Sequence, residues 1–213
     1  EWARLGYVDL VVPTTFWGTI DYDLPYTSWR TLIAQANPKT VVVPGCDLLV
    51  YRETGAGRQD IVSGEEYCGW LERHFAAGAP GVYVFNHFDI ERDKRSIFGQ
   101  FLVQDGDFRR SVCEAPRAYV VTTHDVAPKR ELLGIQLACT LEKPVRLKLG
   151  IGTPPPTGTV ALHLGAKGTL DAAALASVRL NGVKPTSVKE ISVLFGYRHQ
   201  TGGSQFFIRI ALF

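Results

Sequence analysis

The stretch that decides the fold is SGEEYCGWLERHFAAGAPGVYVFNHFD, residues 63–89. Its first half has the marks of a helix. Ser63 followed three positions on by Glu66 has capping-box spacing, and Tyr67, Trp70, Leu71 and Phe75 recur at helical intervals. Gly78 stands where a glycine ends a helix. The second half, GVYVFNH, is a strand that is apolar throughout and then stops at Asn86, His87 and Asp89. A continuously apolar strand after a helix is the pattern of a parallel strand buried on both faces.

Working back from there, the pattern repeats. YVDLVVP, residues 7–13, is a short β-branched strand. TSWRTLIAQAN is a helix that Thr27 or Ser28 can cap and that ends near Asn37-Pro38. KTVVVPG is a second apolar strand, Thr40 to Val43, stopped by Pro44-Gly45. Strand, helix, strand, helix, strand makes two consecutive βα units. The helix-to-strand links NPK and GAPG are short, whereas the strand-to-helix loops run to about 14 and 17 residues against a usual 2–6. In α/β folds the loops after the strands' C-terminal ends build the active face, so this asymmetry locates it.

Beyond about Ala118 helical periodicity fades. IQLACTLEKPVRLKLGIG, TVALHLGA, SVRLNGV, ISVLFGY and QFFIRIALF are short segments punctuated by Gly, Pro and Asn, the texture of a β-sandwich. The expected domains are residues 1–117 and 118–213.

The 213 residues are ample for a core, and 46% hydrophobic with 21% charged is ordinary globular composition. Lys+Arg 23 against Asp+Glu 21 gives +2, no field to draw nucleic acid or an acidic membrane. No run approaches the ~20 apolar residues of a membrane helix. Cys46, Cys68, Cys113 and Cys139 form no C-x-x-C pair and read as buried thiols; they fix no disulfide pairing. The chain has no methionine and opens on what reads as the end of an element, so we read it as a fragment of a longer protein. Its location stays unassigned, with a secreted, periplasmic or cell-surface site compatible.

The chemistry-bearing residues cluster after the strands. Thr14, Thr15, Phe16 and Trp17 follow the first, Cys46 and Asp47 the second, and Asn86, His87 and Asp89 the third. The long loops add Asp21, Asp23 and Tyr26, then Tyr51, Arg52 and Glu53. Aromatic rings stack on the apolar face of a pyranose while Asp, Asn and His bond its hydroxyls, so a rim of Phe16, Trp17, Tyr26 and Tyr51 beside carboxylates suits a sugar. Glycoside hydrolysis uses two carboxylates, and Asp47 is the best placed, with Glu53 second. Asp47 also reads as a simple turn former after Pro-Gly, and the loop aromatics as packing over the rim. One His and one Asp at 87 and 89 do not complete a metal sphere, and His124-Asp125 adds no clear second pair, so no metal or other cofactor is expected. Asn86 and His87 read either as substrate holders or as a strand end. His74, His163 and His199 read as surface or packing residues. There is no G-x-S-x-G, and the Gly55–Gly57 run lies far from any helix start, which removes triad and phosphate-loop chemistry.

In this order, EWARLGYVDLVVPTTFW, TVVVPGCD, SGEEYCGWLERHFAAGAPGVYVFNHFD and THDVAP resemble the last third of bacterial glycoside-hydrolase-like TIM barrels followed by a β-sandwich. The resemblance spans roughly residues 1–130. It implies that the three strands are the sixth, seventh and eighth of a (β/α)8 barrel, with Asn86 and His87 ending the last. In retaining glycosidases of this type the acid/base follows strand four and a nucleophilic glutamate follows strand seven. The corresponding segment here is PGCD, so Asp47 matches by position and departs in residue type. That departure leaves open chemistry elsewhere in the protein, another geometry, or no hydrolysis. The expected function is a glycoside hydrolase or hydrolase-like protein with Asp47 catalytic and Trp17, Tyr51, Glu53, Asn86, His87 and Asp89 on the substrate. The alternative is a non-catalytic carbohydrate-binding protein on the same scaffold. Three strands cannot close a barrel, so exposed edges and apolar faces should make the chain aggregation-prone.

Overall fold

The computed structural model describes residues 1–15, 20–50, 60–85, 112, 115–119, 150–153, 161–167, 176–177, 179, 182–184, 187–191 and 205–211. Asn86, His87, Asp89, Trp17, Tyr51 and Glu53 lie outside these residues, as do Phe16, His124 and Asp125. The chain divides into two compact units, Glu1–Leu137 with Arg146–Pro155, and Ala138–Val145 with Pro156–Phe213.

The first unit is built on parallel strands. β1 (Leu10–Val11) pairs in parallel with β2 (Val41–Val42), and a bridge between Thr14 and Gly45 carries the pairing on to β3 (Gly45–Asp47). β3 pairs in parallel with β6 (Tyr83–Phe85), so chain order and spatial order agree across the three βα strands. β2 ends at Val42, ahead of Pro44 as the sequence suggests, but Gly45 does not stop the ladder, because β3 begins with it. The N–H groups of Val41, Val43 and Gly45 donate to Asp9, Val11 and Pro13 at 2.8, 3.1 and 2.8 Å. Odd-numbered amides therefore face β1, and Pro44 is even. Its missing N–H costs that ladder nothing, while its carbonyl accepts from Tyr83 N–H at 2.9 Å. Gly45 is required by close approach, since a Cβ there would lie 2.7 Å from Val12 Cγ1 and 2.9 Å from Thr14 Cβ.

Alternation sorts these residues onto two faces. Val42 and Cys46 lie in the hydrophobic clusters shared with the helices. Leu10, Val41 and Tyr83 stand on the other face and are 50, 45 and 45% exposed. Asp47, two residues on from Gly45 and paired with Phe85, shares that second face at the strand's C-terminal end.

α2 (Gly64–Ala76) is the better-built helix. Ser63 Oγ accepts from Glu66 N–H at 3.2 Å, and Glu66 Oε2 accepts from Ser63 N–H at 2.7 Å, the reciprocal capping box its spacing foretold. At the other end Gly78 takes φ 83° and donates to Phe75 O, while Ala79 donates to His74 O, a Schellman pair. Tyr67, Trp70, Leu71 and His74 are buried along one stripe, against Ile20, Tyr22 and Leu48 among others. The backbone of residues 115–119 crosses the helix at Gly69, where Ala118 N–H also donates to Glu65 O.

α1 (Tyr26–Ala36) starts earlier than expected. Pro25 is its N-cap and no side chain caps it; Thr27 and Ser28 fall within the first turn. Tertiary packing sets the start, because Tyr26 is the buried residue of this helix. Arg30 lies 5.7 Å from the centre of the Tyr26 ring and donates to the Ala77 and Gly78 carbonyls, meeting the negative end of α2 with a cation.

The second long loop contains a small antiparallel pair, β4 (Leu49–Val50) with β5 (Asp60–Ile61). In the second unit, β7 (Ala161–Lys167), β8 (Ser187–Ile191) and β9 (Gln205–Ala211) form one antiparallel sheet in the order β7-β9-β8. Its register sets Leu162, Ile210 and Val188 in one row across the three strands.

Candidate functional site

The site begins with Asp47, the last residue of β3 and not the turn residue beyond it. Its backbone pairs in parallel with Phe85 of β6, and the residue is 1% exposed, a burial that a carboxylate accepts only among polar partners. It points away from the helices at the end of the sheet where the two long loops leave.

Those loops are tied together. Ile20 N–H, from the first, donates to Leu49 O at 2.8 Å, and Val62 N–H donates to Leu48 O at 3.1 Å. The segment following Asp47 is thus held on one side by the first loop and on the other by the run into α2. Asp21 follows Ile20. Its Oδ1 accepts from Asp23 N–H at 2.8 Å, and its carbonyl accepts from Trp70 Nε1 at 3.0 Å. Burial raises the Asp21 carboxyl above its usual range, opposed by the Asp23 N–H and reinforced by the Asp23 charge. Asp23 faces Arg73 at 3.8 Å.

Tyr26 does not belong to an open rim. It is buried, and its hydroxyl donates toward Val42 O at 3.3 Å and Gly78 O at 3.5 Å, so the sequence placement among sugar-facing aromatics is corrected. The tyrosine fell to packing because the helix begins with it.

Cys46 and Cys68 are buried free thiols. Burial first, and the Asp47 charge second, push the Cys46 thiol well above its ordinary range; burial pushes Cys68 up to about 12, with Glu65 adding to it. Both stay protonated at neutral pH, and neither has the thiolate a nucleophile needs. Among the described residues no group of three or more His, Cys, Asp and Glu side chains could hold a metal ion. No helix among them is long and apolar enough to cross a membrane.

A second polar cluster had no cue in the sequence. Glu72, buried on α2, accepts from Tyr119 Oη at 3.3 Å and from Thr153 N–H at 2.8 Å, and pairs with Arg117 at 3.4 Å. Gly152 N–H donates to Tyr119 Oη at 3.2 Å. The cluster binds α2 to residues 115–119 and 150–153. Helical spacing places Glu72 beside the buried stripe, but its partners come from segments whose proximity no local pattern encodes.

Of the residues expected in catalysis or on the substrate, Asp47 alone lies among the described residues. Comparison with protein-family models and with curated proteins finds no match to the chain.

Proposed function

We propose that the protein is a glycoside hydrolase or hydrolase-like protein acting on a carbohydrate, with Asp47 as a catalytic carboxylate. On this reading Trp17, Tyr51, Glu53, Asn86, His87 and Asp89 contact the substrate. The parallel strands of the first unit belong to a (β/α)8 barrel and the antiparallel sheet of the second to a β-sandwich.

The observation that carries the proposal is the position of Asp47. A buried carboxylate at the C-terminal end of the middle parallel strand, on the face turned from the helices, stands where α/β folds put their chemistry. Hydrolysis of a glycosidic bond needs a second carboxylate, one group protonating the leaving oxygen and the other attacking or activating water. Asp47 supplies one of the two.

The test is turnover of a panel of aryl glycosides by wild type and Asp47→Asn, with circular dichroism to verify the fold and calorimetric titration of the same sugars. The expected result is a fall in kcat of about 10²–10⁴-fold with sugar binding retained. Unchanged turnover in the variant removes Asp47 from the mechanism. Sugar binding without turnover in the wild type assigns the scaffold to carbohydrate binding alone.

A further inference from the structure

His74 lies in the last turn of α2 and is 2% exposed. Its Nδ1 is 2.8 Å from the carbonyl of Trp70 one turn earlier. A carbonyl only accepts, so Nδ1 carries the hydrogen and Nε2 is left with a lone pair. Nε2 is buried with no hydrogen-bond partner among the described residues. The Trp70 ring lies 4.4 Å away, and the Tyr26 ring meets the imidazole nearly edge-on at 6.4 Å and 76°. Tyr26 is the buried residue of α1, so its contact with the His74 ring, beside the Arg30 hydrogen bonds to the Ala77 and Gly78 carbonyls, is one of the points where α1 meets the C-terminal end of α2.

We infer that His74 is an acid-operated latch: a proton taken up at Nε2 loosens α1 from the C-terminal turn of α2. Protonation makes Nε2 a buried donor with no acceptor among the described residues, between the Trp70 and Tyr26 rings. The charged and titratable groups around it do not repair this. On α2, Arg73 is a like charge. Asp23, ahead of α1, is opposite in sign but faces Arg73. From α1 come the Tyr26 phenol, turned to the Val42 and Gly78 carbonyls, and the Arg30 guanidinium on the Tyr26 ring.

Burial chiefly lowers the His74 pKa to about 4, with Arg73 lowering it further and the Trp70 carbonyl and Asp23 opposing. The sign follows. Neutral His74 contributes its full stability above the unfolded value near 6.5, and that contribution drains away as pH falls from there toward about 4.

The test has two readouts. Urea unfolding of the whole chain at pH 7.5 and 4.5 compares wild type with His74→Phe, which keeps the ring and removes the titration. The wild-type unfolding constant should rise about a hundredfold more than the variant's between these pH values. Amide exchange in wild type should show α1 losing protection at pH 4.5 while α2 keeps it. Equal pH dependence in both proteins, or α1 equally protected at both pH values, overturns the latch. Should His74→Phe not fold, ¹⁵N imidazole shifts of wild type decide: an Nδ1–H tautomer unprotonated at pH 5.5 supports it, and titration near 6.5 refutes it.

Discussion

At the scale of a residue, Gly69 shows what a sequence can carry without displaying. It reads as a helix-interior glycine, ordinarily a cost of about 1 kcal/mol relative to alanine. In the fold it is the notch through which the backbone of residues 115–119 passes. A Cβ there would run into the Ala118 carbonyl, which cannot swing aside as a side-chain tip can. Gly69→Ala is therefore expected to destabilise by about 2 kcal/mol or more despite its better helix propensity. Gly81, whose added Cβ meets nothing within 4 Å, is the control, with Gly81→Ala expected within about 0.5 kcal/mol of wild type. Chemical denaturation of both variants checks the pair. Asp47 behaves differently. Its place near a strand end was legible from TVVVPGCD, but its burial was not, because Pro44-Gly45 reads as a stop and the ladder runs through it.

At the scale of an element, α2 and α1 divide the legible from the illegible. The ends of α2 are written locally, in Ser63, Glu66 and Gly78, and the structure uses each as its chemistry suggests. Ser63→Ala removes the acceptor for Glu66 N–H and should cost about 1 kcal/mol, with Ser63→Asp restoring most of it. Thermal melts of the three proteins measure this. If Ser63→Ala melts with wild type, the box contributes nothing to stability. The start of α1 is written elsewhere: Tyr26 is fixed by α2 and β2, so Thr27 and Ser28, good caps by residue type, are overruled. The same dependence removed Tyr26 from the rim.

At the scale of the whole molecule, the βα order and the parallel pairing were legible because apolar runs and short links repeat. The polar cluster at Glu72 was not, because it joins segments far apart in the chain. The face of the parallel sheet turned from the helices is covered at Asp47 but open at its other end. Parallel sheets are almost always covered on both sides, yet Leu10 and Val41, cross-strand partners, remain about half exposed. Sedimentation velocity on the chain is expected to show concentration-dependent self-association. Leu10→Lys with Val41→Glu, an opposite-charge cross-strand pair, should suppress it. A wild type that stays monomeric at every concentration refutes the expectation.

The Glu72 cluster has a consequence for synthesis. Tyr119 stands 47 positions after Glu72 and Thr153 stands 81 after it. At translation rates of 5–20 residues per second, Thr153 follows Glu72 out of the ribosome by roughly 4 to 16 seconds. Throughout that interval α2 has its own caps but carries a carboxylate whose last partner has not been made. The helix can form early; its burial must wait for the chain to catch up.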